Sequence, residues 1–228
     1  MDEKLISMQL HEKEAYSKNL IKNVYDRYGD DVGVAWSGGK DSTTLLHLIK
    51  SLFNGKVPWK VFTIDTGVEF KEIIEFIHKI HKEWGFELIT LSNKEALKTL
   101  EIAKNKVECC YLLKTIPINK AIADYKLKAL LVGLRWDEQE ARINEKFFAQ
   151  RDNPFHMRVY PILHFKEIDI WTYIKKYNIP YCELYKKGYR SIDCEPCTKL
   201  YSGEGHERMS RDQDKEKVMK RLREMGYF

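Results

Sequence analysis

The chain has 228 residues, 43% of them hydrophobic and 12% aromatic, enough apolar material for a sizeable core in one domain or in one domain with an appendage. Its 39 basic residues face 34 acidic ones, and the resulting net charge of +5 is accounted for by a solvated surface without a polyanionic partner. No apolar run reaches the roughly 20 residues of a membrane span, and the charged stretch MDEKLISMQLHEKEAYSKN is unlike a signal peptide, so no membrane contact and a cytoplasmic location are expected.

In chain order, LISMQLHEKEAYSKNLIKNVYDRYG has the apolar spacing of a helix that stops at Gly29. VGVAW then reads as a short buried strand and DSTTLLHLIKSLF as a helix. WKVFTIDT reads as a strand, FKEIIEFIHKIHKEWG as a helix and FELITLS as a strand; a helical stretch containing TIPINKAIADYK precedes KALLVGL, another strand. Strands alternating with helices in this way predict an α/β fold with a parallel sheet covered on both faces. Beyond about residue 150 the pattern changes to RDNPFHMRVYPILHF, the helix KEIDIWTYIKKYN and a tail rich in glycine, cysteine and charge. No repeat or low-complexity linker intervenes, so the expected organisation is a core over residues 1–150 with an extension, residues 151–228, packed on it.

In parallel sheets ligands sit beyond the carboxyl ends of the strands. Three predicted strand ends carry unusual residues: Ser37 to Ser42, then Asp65, Thr66 and Gly67, and finally Gly133, Leu134 and Arg135. One site built from three loops is expected. The first of them, in VAWSGGKDSTTLL, nearly spells a Walker A loop, except that Asp41 stands where a magnesium-holding hydroxyl belongs. Ser37, Gly38 and Gly39 between a strand and a helix turn backbone N–H groups towards an anion, and Lys40 adds charge. Asp41 would repel phosphate directly, so it either caps the first turn of the helix or helps hold a bridging Mg2+. An ordinary glycine-rich turn with an N-cap Asp or Ser is the alternative reading.

SGGKDS resembles the PP-loop of the ATP pyrophosphatases, enzymes that cleave ATP between the α and β phosphates. Further matches lie in GKVPWKVFTIDTGVEFKEIIEF, GLRWDEQEARINEKFFAQRD, HMRVYPILHFKEIDIWTYIKKYNIP and KRLREMGYF. These are similar to the branch that holds the PAPS reductases and, most closely, the small subunits of heterodimeric sulfate adenylyltransferases. The resemblance implies that Ser37, Gly38, Gly39, Lys40, Asp41 and Ser42 bind ATP phosphates, with Asp65, Thr66, Gly67 and Gly133 beside the nucleotide. It places Arg135, Asp137, Glu138 and Arg142 over the anion end, where cations and Mg2+ stabilise charge developing on phosphoryl oxygens. Arg135, Glu138 and Arg142 also fit an exposed, salt-bridged helix face. His156 and Arg158, ahead of the strand-like VYPILHF, are candidates for the same anion or for a packed surface. Trp171 and Tyr173 read as core.

Five cysteines are present. Cys109 and Cys110, with Cys194 and Cys197 of a Cys-x-x-Cys, offer the four thiolates of a [4Fe-4S] cluster, and the pattern resembles the cluster motif of adenylylsulfate reductases. Zinc, a redox pair or unrelated buried thiols are the alternatives, and Cys182 reads as a core residue. The reductases' Glu-Cys-Gly-Leu-His tail has no counterpart here, and no cysteine follows Cys197.

The resemblance therefore implies three activities. The first is sulfate activation, in which ATP and sulfate give adenylylsulfate and pyrophosphate; this uphill reaction is coupled in that family to a GTPase partner subunit. The second is cluster-dependent sulfur transfer to nucleic acid, and the third is reduction of a sulfonucleotide by an external thiol. Sulfate activation is the expected activity, because it explains the longest matches; sulfur transfer, which explains the cysteines, is the alternative. A sulfur-containing small substrate is expected in each of the first and third, and an oligomer is compatible with all.

Overall fold

The computed structural model, which describes residues 1–201 and 203–227, is organised on a six-stranded sheet. Its strands are β1 (Val32–Ala35), β2 (Lys60–Ile64), β3 (Leu88–Leu91), β4 (Ala129–Val132), β5 (Phe148–Asp152) and β6 (Phe155–Val159). They lie in the order β3-β2-β1-β4-β6-β5, parallel except for the antiparallel edge pair of β5 and β6. The apolar runs VGVA and ALLV, buried at their first three residues, are what a strand covered on both faces requires.

The helices are α1 (Glu3–Ile6), α2 (Leu10–Tyr28), α3 (Lys40–Leu52), α4 (Lys71–Trp84), α5 (Lys94–Thr99), α6 (Lys106–Cys110), α7 (Ile116–Asp124), α8 (Glu167–Lys176), α9 (Gln213–Lys217) and α10 (Met219–Glu224). In α4 the buried residues Ile73, Phe76, Ile77 and Ile80 recur at helical spacing and press one stripe into the core, and the helix ends at left-handed Gly85. A π-turn, Tyr111–Thr115, joins α6 to α7. Among the described residues, no helix is long and apolar enough to cross a membrane.

Two expectations are corrected. The single N-terminal helix is broken, because the Ser7 hydroxyl donates back to the Glu3 and Lys4 carbonyls and the Glu12 carboxylate accepts the Gln9 N–H, opening α2 afresh. VYPILHF is not a strand. The strand is β6, one step earlier, and His156 and Arg158 lie within it; Pro161 has no N–H to give a ladder, and Leu163 N–H closes a turn on the Tyr160 carbonyl.

His156 and His164 are buried, and that burial pushes both rings down to about 4. Each is neutral when folded and takes up a proton on unfolding between pH 6.5 and about 4, so stability falls as pH drops through that window. Urea unfolding at pH 5 is expected to show at least ~1.4 kcal/mol less stability than at pH 7, the value of one pKa unit. Equal stabilities would mean that both rings protonate freely in the native fold.

Candidate nucleotide site and cysteine cavity

Strand order reverses between β1 and β4, where an α/β sheet opens its ligand crevice. The SGGKDS loop leaves β1 here and runs into α3. Gly38 sits at φ +72, a conformation that disfavours a side chain, with its backbone against Ile77. Opposite it, a Cβ on Gly133 would stand 2.8 Å from Ser42 Cα and 2.9 Å from Ser42 N, so the end of β4 meets the first turn of α3 backbone to backbone. Trp36 Nε1 donates to Thr43 Oγ1 at 3.0 Å, and Ser42 Oγ accepts the Ser37 N–H at 3.2 Å, which fixes the loop from below.

Over this junction lies a cavity of about 280 Å³, close to the ~300 Å³ lower end of small-molecule sites. Ser37, Gly39, Lys40, Asp41, Ser42 and Gly133 form its floor, while Ile73, Ile77 and Ile118 give it an apolar wall suited to a base. Glu138, Arg142, Arg158, Arg211 and Lys114 line its polar end.

The charges below the floor are tightly paired. Lys40 Nζ lies 3.1 Å from Asp41 and is hydrogen bonded to Glu207. Arg135, fully buried, pairs through Nε with Asp41 at 2.6 Å, through Nη1 with Asp137 at 2.7 Å and through Nη2 with Glu207. Burial alone would raise the Asp41 pKa, but Arg135 and Lys40 hold it at about 2. Asp41, at the cavity floor, is thus held ionised between the two cations. The Tyr185 hydroxyl accepts the Lys40 backbone N–H at 2.9 Å, and burial pushes its own pKa up to about 12.

The structure separates the other expected site residues. Glu138 and Arg142 are cavity residues, paired with each other in buried 3-10 turns, not on an exposed helix face. Burial, with Arg208 and Arg211 nearby, lowers Arg142 to about 9. Arg135 and Asp137 stand behind the wall, and Asp137 accepts the Glu167 N–H at 2.8 Å where α8 begins. Asp65 is exposed and bonds to the Gly67 N–H at 2.8 Å, Gly67 turns under Leu97, and Thr66 faces Cys194 at 3.4 Å, so this loop is absent from the wall of the larger cavity. Its neighbour Glu69 reaches that wall instead. Tyr185 and Glu207 were not found by sequence reasoning. The charged doublet Glu207-Arg208 inside a glycine-rich segment was the one available signal for either.

Cys109, Cys110, Cys194 and Cys197 line one small cavity with Lys114, Lys215 and Thr66. Its volume, about 10 Å³, is that of roughly one water. Among the described residues, no three His, Cys, Asp or Glu side chains are grouped as ligands of a metal ion. A cubane binds each thiolate at a different iron and so spreads its ligands further apart than one ion does. The donor set matches a [4Fe-4S] cluster in number and type, although the walls must part to receive one. Burial raises the Cys197 thiol to about 11 and also raises Cys194, while Lys114 and Lys215 pull the other way. Cys194 is common to both cavities. Cys182 is packed in the main core with its thiol raised by burial.

A family profile described as the phosphoadenosine phosphosulfate reductase domain matches residues 31–200. The chain belongs to that family. Relatives of this reductase family member include an adenosine 5'-phosphosulfate reductase of Bacillus velezensis, 32% identical over 79% of this chain and 78% of that protein. A sulfate adenylyltransferase subunit 2 of Shewanella frigidimarina is 30% identical over 80% of this chain and 69% of its own length. The fold is shared with a phosphoadenylyl-sulfate reductase from Candida auris, at TM-score 0.66 and 17% identity over 79% of this chain and 88% of that one. It is also shared with the U34-tRNA thiolase NcsA from Methanococcus maripaludis, solved with its [4Fe-4S] cluster, at TM-score 0.54 and 17% identity over 91% and 72%. The reductase family and its sulfate-activating relatives make this chain an enzyme of sulfonucleotide chemistry.

Proposed function

We propose that the protein reduces adenylylsulfate, with Cys109, Cys110, Cys194 and Cys197 holding a [4Fe-4S] cluster against the sulfur end of the bound nucleotide. The observation that carries this reading is Cys194, whose side chain belongs at once to the nucleotide cavity and to the cysteine cavity. When bound, such a cluster supplies localised charge and a one-electron centre beside the substrate. The chain's own residues do the rest. The loop from Ser37 to Ser42 receives the 5'-phosphate, the isoleucine wall takes the base, and Arg142, Arg158, Arg211 and Lys114 surround the sulfate oxygens and steady the negative charge on AMP as it leaves.

Reduction needs two thiols. A thiolate forms a bond to the sulfate sulfur and the bond from that sulfur to the AMP phosphate oxygen breaks, leaving an S-sulfonated thiol. A second thiolate attacks the thiol sulfur and releases sulfite, so two thiols are oxidised to a disulfide while the sulfate sulfur gains two electrons. Cys182 is buried away from both cavities, and the other four cysteines are committed to the quartet. The reductant is accordingly a separate dithiol.

Sulfate activation is the second reading, favoured by the subunit 2 relative and by a loop built to take phosphates. There the loop would hold the leaving pyrophosphate with Mg2+, and a GTPase partner would drive the reaction. Protein purified without oxygen separates the two. Sulfite and AMP formed from adenylylsulfate plus a small dithiol, with about four iron and four sulfide per chain, support reduction. Sulfate-dependent exchange of pyrophosphate into ATP, without sulfite release, would replace that reading with activation; neither activity would return attention to sulfur transfer onto nucleic acid.

A further inference from the structure

We propose that Glu207 is a built-in competitor of the phosphate, a carboxylate beneath the loop that holds Lys40 in an ion pair until an incoming phosphoanion takes it over. The inference rests on the nucleotide-site reading and adds a threshold to it.

Lys40, the side-chain cation of the SGGKDS loop, is buried and already spans two carboxylates, Asp41 and Glu207. Arg135 spans the same two and Asp137 besides. Asp41 belongs to the loop itself, and its contacts fix the cations in place. Glu207 is different. It arrives from the far end of the chain, 167 residues from Lys40, on a short 3-10 turn, Glu207–Ser210, and its side chain is 2% exposed. Of the two cations it pairs, Lys40 borders the cavity, and its charge is the one a phosphate at the loop needs. Free loop amides attract an anion weakly on their own, and two buried cations whose charge is spent on carboxylates add little to that pull.

Glu207 can let go by a movement of its side chain, without unfolding the extension. Ser210 Oγ donates to the Ser191 carbonyl at 3.0 Å and accepts the Ser191 N–H at 3.2 Å, while Arg208 is held by Glu216 at 2.8 Å. These ties lie C-terminal to Glu207. On its other side, Arg190 Nη1 donates to the Gly205 carbonyl at 2.7 Å and the His206 ring is hydrogen bonded to the Asp137 carbonyl, so the turn is held at both ends and the Glu207 carboxylate is what moves. The consequence is a filter. Inorganic phosphate and sulfate, which have only the loop and its cations to hold them, must meet the whole displacement penalty from those contacts. A nucleotide has its base in the isoleucine wall to offset it. Glu207 thus keeps the empty loop from filling with common inorganic anions.

Calorimetric titration of wild type and Glu207→Gln with inorganic phosphate and with AMP tests this. The variant is expected to bind both about tenfold or more tightly, the factor a lost competing hydrogen bond to a charged group is worth. Equal or weaker binding by a folded variant overturns the proposal while leaving the site reading intact, and no binding of AMP by either protein removes both. Should Glu207→Gln not fold, hydrogen exchange of the wild type decides: amides of residues 207–211 are expected to exchange faster once AMP saturates the site, and unchanged or slower exchange overturns the displacement.

Discussion

Replacing Arg135 with methionine is expected to lower the free energy of unfolding by about 3–5 kcal/mol, the usual effect of removing one partner from a buried ion cluster. Asp41 and Glu207 would keep only Lys40, and Asp137 would lose its cation at the base of α8. Glu207, fully out of water, and Asp41, largely so, cannot rehydrate where they are, whereas Asp137 partly can. Combining Arg135→Met with Glu207→Gln should recover part of the loss, because one uncompensated charge goes with the other. Urea unfolding of the two variants checks it. A loss under about 1 kcal/mol for the single change would show that water reaches the cluster and screens it.

Asp193→Asn is expected to have an effect of similar size at the other cavity. Asp193 Oδ1 receives Lys114 Nζ at 2.5 Å and the Cys194 N–H at 3.0 Å, and Oδ2 receives Lys215 and, at 3.4 Å, Arg211. Burial would raise this carboxyl, yet Lys114, Lys215 and Arg211 hold it well below the usual carboxylate range. Neutralising it strands the buried Lys215 and unpairs the half-buried Lys114 and Arg211, and should cost about 3–5 kcal/mol in unfolding free energy. It should also change thiol chemistry in a definite direction. Asp193 raises the Cys194 and Cys197 thiols, whereas Lys215 lowers both, so its loss makes more thiolate at neutral pH. Iodoacetamide should therefore alkylate the metal-free variant faster than metal-free wild type under native conditions; a rate equal to or below wild type would contradict the assignment of those charges.

The two hubs differ in how far the sequence exposed them. The strand ends, the phosphate loop and the Cys-Cys with Cys-x-x-Cys pattern are local signals: Gly38 and Gly133 answer to backbone geometry within a few residues, and β1 and β4 declare themselves as apolar runs. Arg135 stood out for the same reason, at a strand end. Its role did not, because the carboxylates that bury it come from Asp41 and Glu207, far apart in the chain, and pairing across such distances leaves no periodicity to read. Asp193 lies beside Cys194 yet was invisible as a hub, since Lys114 reaches it from one distant segment and Arg211 and Lys215 from another. The neighbour of Thr66 was hidden for a related cause: Asp65 and Gly67 close a tight turn that sets the threonine against Cys194. Sequence patterns specify the elements; which side chain meets which is decided by packing between them.

The clasp on Lys40 also orders events in time. Its backbone N–H is held by Tyr185 and its ammonium by Glu207, 145 and 167 residues later in the chain. During synthesis at roughly 5–20 residues per second, the loop is made some 10–30 s before the second of these partners. Through that interval the lysine has only Asp41 of its two carboxylates and lies at the N-terminal end of α3 open to whatever anion the surrounding solution offers, and a ribosome-bound chain halted short of residue 207 should bind inorganic phosphate that the finished protein turns away.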